Sequence, residues 1–238
     1  MVDTAEQATS KSGTYVLRVL FIYYSFSGQT TGLLNNLSAG LKQEGLLVNF
    51  VKLRPVTPLR FPIGSFCRTF KMMLTTAFRQ RVPICDLEPP AWEDHDMIVL
   101  AGPTWSYNPS GPILDFLDRF GEKLLKDKTV LPLISCRGYW RMHWLGLKRL
   151  LTDCGANVPN RIVFSHPMPE PWRTIGVFLK IAGKAPERSP LVRRFYSRYG
   201  HSRKQLAEAE NFGVSIARCL KDKRSLADLD LQSTIGKR

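Results

Sequence analysis

The residues best suited to chemistry sit in one short loop, Ser25-Phe26-Ser27-Gly28-Gln29-Thr30. It lies between an apolar run and a helical pattern. The hydroxyls of Ser25, Ser27 and Thr30 can donate hydrogen bonds, and Gly28 lets the backbone fold closely round a ligand. A helix start adds unpaired N–H groups and the positive end of the helix dipole. Together these bind a phosphate without a basic side chain. No Gly-Lys-Ser/Thr follows, so this is not the phosphate loop of the nucleoside triphosphatases, and a single glycine excludes the dinucleotide fingerprint. Read alone, the loop is equally a cluster of capping hydroxyls at a strand-to-helix junction.

Other candidates carry less. His143 lies between Met142 and Trp144 early in a helical pattern, His95 precedes a strand, and His166 and His201 flank an irregular segment. No pair has the spacing of metal ligands, so each reads as structural. No Gly-x-Ser-x-Gly elbow is present. The five cysteines (Cys67, Cys85, Cys136, Cys154 and Cys219) are odd in number and scattered, which argues against a disulfide framework and a zinc site and for reduced, mostly buried thiols. Arg193, Arg194 and Arg198 alternate with Phe195, Tyr196 and Tyr199, a mixture that can stack bases. No nucleic-acid module surrounds them, so a solvated basic face is expected and nucleic acid is not an expected partner.

The elements that must hold the loop follow from hydrophobic periodicity. Residues 1–14 are polar, lack the basic start and apolar run of a signal peptide, and read as a disordered leader. No stretch reaches the roughly 18 apolar residues of a membrane helix, so a cytoplasmic protein is expected. Residues 16–24 form a near-continuous apolar strand of the kind buried in parallel sheets. Leu33, Leu34, Leu37 and Leu41 then recur at helical spacing up to Gly45. Further strands are expected over 46–53, 96–101, 129–134 and 158–164, with helices after the third and fourth. A last helix runs through Leu206, Ala209, Phe212, Ile216 and Leu220, and 221–238 reads as a frayed tail. The β-α-β order implies one α/β domain over 15–220 with a doubly wound, five-stranded parallel sheet. Basic, aromatic insertions interrupt it at about 60–82 and 165–203.

Within this frame the chain resembles the flavodoxin-like family. Ser25 to Thr30 is similar to the family's S/T-x-S/T-G-x-T loop after strand one, which holds the FMN phosphate. Gly102-Pro103-Thr104-Trp105-Ser106-Tyr107-Asn108, followed by Pro112-Ile113 and Phe116-Leu117, resembles the family's Pro-Thr-Trp loop after strand three. Ser135-Cys136-Arg137-Gly138-Tyr139-Trp140 fits the loop after strand four more loosely. The closing helix is also similar. The resemblance implies a sheet of order 2-1-3-4-5 with FMN bound at the carboxyl ends of the strands. It implies that Ser25, Ser27, Gly28, Gln29 and Thr30 hold the phosphate, that Trp105 and Tyr139 cover the ring, and that Pro103, Thr104, Ser106, Tyr107, Asn108, Ser135 and Gly138 border its edge. Arg137 is placed to stabilise negative charge on the reduced ring or to grip a nicotinamide-cofactor phosphate.

The departures from the family set the expected role. The formal charge is +14, whereas electron shuttles of this family are typically acidic on the docking face. The insertions can pack on each other as a lid over the cofactor, lie on an anionic membrane surface, or meet another partner. The expected activity is an FMN-dependent oxidoreductase that passes electrons from NAD(P)H to a quinone-like or other small acceptor, with no protein acid or base required. The alternative is a non-enzymatic electron carrier or flavin-binding module that docks to a redox partner protein or membrane. A homo-oligomer is compatible with either.

Overall fold

The computed structural model describes residues 15–188, 190, 193–196 and 199–236. The leader and Arg198 lie outside the described residues. Strand β1 (Arg18–Tyr23) leads into helix α1 (Gln29–Gln43), strand β2 (Leu47–Lys52) and helix α2 (Phe66–Ala77). Strand β3 (Met97–Trp105) is followed by the two-residue strand β4 (Asn108–Pro109), α3 (Gly111–Phe116), a π-helical turn at 117–121 and α4 (Glu122–Leu125). Then come β5 (Val130–Cys136), α5 (Trp140–Asp153), β6 (Ile162–Ser165), α6 (Trp172–Ile181) and α7 (Arg203–Lys221).

The parallel strands run in the order β2-β1-β3-β5-β6, with β4 paired antiparallel to β3. This is the expected doubly wound sheet plus one hairpin strand. The apolar runs of β1, β3 and β5 are buried on both faces, as crossover helices on each side require. Alternate residues divide between two cores. Phe21, Val99 and Leu133 pack under α1 and α7, while Ile22, Leu100 and Val130 pack under α3 and α5. On the first face α1 and α7 approach closely at Gly40 and Gly213. A Cβ on Gly213 would lie 2.2 Å from the Leu37 carbonyl oxygen.

The structure corrects three expectations. Strand β3 does not stop at Ala101 but continues to Trp105, because residues 102–109 form a hairpin rather than an open loop. Its two turn residues, Ser106 and Tyr107, both have positive φ (44° and 69°), the twist that two-residue hairpins require. Strand β5 runs on through Ser135 and Cys136, which pair with Phe164 and Ser165. The tail expected to be frayed is ordered over its described residues, 221–236. β6 is an edge strand with unpaired backbone groups, and the tail satisfies them. Val163 N–H donates to the Leu231 carbonyl (3.0 Å), and Ser233 N–H to the Val163 carbonyl (2.9 Å). Leu226 and Leu231 are buried in the core.

The two insertions pack on each other. Ile63 N–H donates to the Ile181 carbonyl at 2.8 Å. Phe66 meets Phe178 at 5.9 Å, and Phe61 stacks on Tyr199 at 5.7 Å.

Candidate functional site

The loops leaving β1, β3 and β5 meet at the carboxyl edge of the sheet, on either side of the point where strand order reverses. Open α/β sheets bind ligands at that point. A cavity of about 110 Å³ lies there, lined by Ser27, Gln29, Thr30, Pro103, Thr104, Trp105, Ser135 and Arg137 among others. It shares Thr104, Trp105, Arg137, Val177 and Ile181 with an apolar groove of about 380 Å³ between α2 and α6.

One end of the site is built for an anion. Gly28 is the N-cap of α1, with φ +80° and no side-chain capping bond. The first N–H groups of a helix have no intrahelical partner. The Ser25 hydroxyl takes one of them, from Thr31 at 3.4 Å. Thr30 is buried within the first turn. No acidic residue stands in that turn, so its dipole is uncompensated. Tyr199 lines the cavity beside Ser27 and Gln29, so the second insertion closes over the cradle.

The other end combines apolar walls with one cation. The Arg137 guanidinium lies over the Tyr139 ring at 5.6 Å, and its buried Nε has no partner among the described residues. A buried unpartnered donor is costly, so this atom suits an acceptor on a planar ligand. Tyr139 and Tyr107 meet edge to face at 5.7 Å, each about half exposed. Both also border an adjoining chamber of about 600 Å³ with Gly138 and Arg173.

Several expected residues have other duties. Trp105 is not a free cover. Its indole is buried, with Tyr24 and Phe26 edge-on at 5.7 and 5.5 Å, and it presents its remaining surface to the cavity and groove. Asn108 does not line either space. Its amide donates to the carbonyls of Thr76 (3.2 Å) and Ala77 (3.3 Å), capping α2. The Ser106 hydroxyl donates to the Met73 carbonyl at 2.8 Å, so the strained hairpin and α2 hold each other. Ser135 lies at the end of β5, 2.9 Å from His201 Nε2. Gly138 is the contact for a buried arginine: a Cβ there would lie 2.6 Å from Arg173 Nη2. Ser25 and Gly28 shape the cradle without lining the cavity.

The histidines read from the sequence as structural brace these loops, though the sequence did not show which segments they join. His143 is buried, with Nδ1 2.6 Å from the Thr104 hydroxyl, and burial pushes its pKa down to about 3. The neutral ring ties the β3 hairpin to α5. His166 lines the cavity, and burial pushes its pKa down to about 4. Its Nδ1 accepts from Met168 N–H at 3.2 Å, which leaves the proton on Nε2, facing the Tyr196 hydroxyl at 3.3 Å. His201 is likewise lowered to about 4 by burial. Arg173 pairs with Glu170 at 3.1 Å. Cys136 lines the cavity with its thiol pushed up to about 11 by burial, so it stays protonated. Cys67 and Cys85 are exposed, contrary to the expectation of mostly buried thiols. These braces join residues far apart in the chain, and no local pattern marks them. Among the described residues no cluster of metal ligands is present, and no helix is long and apolar enough to cross a membrane.

Comparison with known proteins agrees with this fold. No curated protein matches the chain. Among solved structures, a flavoprotein in complex with FMN from Lactobacillus acidophilus NCFM is similar at 18% identity, over 62% of this chain and 93% of that one, with a TM-score of 0.50. A flavodoxin from the domain Archaea is similar at 14% identity, over 86% and 99%, with a TM-score of 0.46. At such identities the first likeness speaks for the fold alone. The model of NADPH-dependent FMN reductases matches residues 17–167, a span that contains every parallel strand and all three loops of the site. The chain therefore belongs to the NADPH-dependent FMN reductase family.

Proposed function

We propose that this protein is an FMN-binding oxidoreductase that takes electrons from NAD(P)H and delivers them to a small, flat, apolar acceptor such as a quinone. The observation that carries this reading is the joining of two unlike spaces: a glycine-capped helix N-terminus with hydroxyls at one end, and an aromatic groove holding the Arg137 Nε, which has no partner among the described residues, at the other. The residues fit an FMN molecule, whose phosphate needs donors and whose ring needs flat apolar walls. When bound, FMN supplies hydride acceptance and onward electron transfer, so no protein side chain need act as acid or base.

The chain's own residues supply placement and electrostatics. Thr30, Ser27, Gln29 and the first N–H groups of α1 would hold the phosphate. Trp105, braced by Phe26 and Tyr24, and Tyr107 and Tyr139 at the rim give the ring its walls. Arg137 would offer positive charge to the edge of a bound ring and so favour electron uptake there. His143 fixes the Thr104 side chain, and Val177, Phe178 and Ile181 of α6 exclude water from the groove. The covering helices favour a small acceptor over a docked electron-carrier protein. The test is the visible spectrum of the purified protein with and without added FMN, followed by NADH and NADPH oxidation with a soluble quinone. Absence of flavin binding refutes the reading. Flavin binding without turnover refutes the reductase role.

A further inference from the structure

Helix α2 is turned inside out. Its buried residues are Thr69 and Thr76, whose hydroxyls donate back to the carbonyls of Ser65 and Met73. Its large apolar residues Phe66, Phe70, Met73 and Leu74 are exposed, and Phe78, just past its end, is 84% exposed. At 3.6 residues per turn the four helical residues fall within about 100° of arc. They form one stripe, and an exposed contiguous stripe marks an interaction surface. Part of it walls the groove, but Phe66 and Phe78 lie outside the groove lining.

The charge around the stripe identifies its occupant. No Asp or Glu occurs between Glu44 and Asp86. Arg60, Arg68 and Lys71 in that span are exposed, and none has an ion pair with a described residue. The sequence from residue 171 to 207, whose helix α6 meets α2 at Phe178, contains one acid, Glu187, which is paired with Lys180. Lys184, Arg188, Arg193 and Arg194 of that segment are exposed. A second copy of the chain would bring the same cations to the same stripe, which opposes self-association there. An anionic bilayer meets both requirements, with an apolar interior for the phenylalanines and anionic headgroups for the arginines and lysines. We propose that α2 and its flanking basic residues dock this protein on an anionic membrane surface, with the helix lying in the plane of the interface. The attachment is peripheral, requires no spanning helix and does not depend on bound flavin.

The test is flotation of the purified full-length protein with vesicles of phosphatidylcholine alone, or of phosphatidylcholine and phosphatidylglycerol in equal parts, at low and high salt. Binding is expected to the mixed vesicles only, and to weaken with salt. Arg68→Gln with Lys71→Gln should lower the partition coefficient about 25-fold, from roughly fivefold per cation at an anionic surface. Phe78→Ser should lower it about tenfold. Both variants leave the groove lining untouched, so flavin content read by absorbance should not change. Equal binding to both vesicle types, binding to neither, or unchanged partitioning of both variants overturns the proposal. A dimer that either variant dissociates assigns the face to a second copy and also overturns it.

Discussion

Replacing Gly176 by alanine probes how α6 is seated over the site. In an ordinary helix interior this change stabilises by about 0.5–1 kcal/mol. Here a Cβ would lie 2.3 Å from two ring carbons of Tyr196 and 2.6 Å from a third. Carbon atoms prefer about 3.5–4.0 Å, so the ring or the helix must move by about 1 Å or more. Tyr196 cannot yield cheaply. It is fully buried and stacks on His166 at 5.6 Å with 16° between the rings. Overpacking of this kind costs about 1–3 kcal/mol, which outweighs the propensity gain and leaves a net loss of about 1 kcal/mol. For a chain of this size that is a fall of about 2–4 °C in melting temperature. The decisive assay is denaturant unfolding of Gly176→Ala in two backgrounds. In the native background it should destabilise. In a Tyr196→Leu background, with the ring gone, it should stabilise by about 0.5–1 kcal/mol, a coupling of about 2 kcal/mol between the two sites. Because α6 carries Val177 and Ile181 into both cavities, the native-background variant should also bind FMN more weakly. If the change stabilises equally in both backgrounds, the packing argument is wrong.

Three further outcomes are expected. Gly28→Ala meets no neighbour within 4 Å, so its cost is backbone strain at φ +80°, about 1–2 kcal/mol by thermal melting, with weaker FMN binding in fluorescence titration. His143, His166 and His201 have folded pKa values lowered to about 3, 4 and 4 by burial. The unfolded chain then binds more protons between those values and about pH 6.5, so stability is full above that window and lost as pH falls through it. The loss is about 1.4 kcal/mol per pH unit for each histidine; denaturant melts from pH 7 to 4 measure it, and a flat profile counts against neutral buried rings. Arg137→Met should lower the two-electron midpoint potential of bound FMN by about 30 mV or more, the equivalent of about 1.4 kcal/mol; potentiometric titration reads it, and an unchanged potential removes Arg137 from the ring edge.

The burial of β1, β3 and β5 on both faces was legible in the chain because such strands carry near-continuous apolar runs, a pattern visible over six or seven residues. Ser25 to Thr30 was legible for a similar reason, since a glycine at φ +80° and its hydroxyl neighbours are local chemistry. The hairpin at Ser106 and Tyr107 was not. Neither residue is a glycine or asparagine, and their positive φ values are held by α2, which lies about thirty residues away. Composition could not decide the direction of α2 either. Periodicity marks an apolar stripe, but which face turns inward depends on what Thr69 and Thr76 pack against.

The sequence by itself thus determined the parallel strands and the strand-loop-helix setting of Ser25 to Thr30, because each follows from short-range periodicity and turn chemistry, while the order of the strands was what the family resemblance implied. Only the tertiary structure decided that Trp105 is a braced wall, that Asn108 and Ser106 serve α2, and that Tyr199 closes on Ser27 and Gln29. It also decided that the tail completes the edge of β6. Those contacts join segments tens of residues or more apart, where the cost of closing the loop is met by packing that no local pattern encodes.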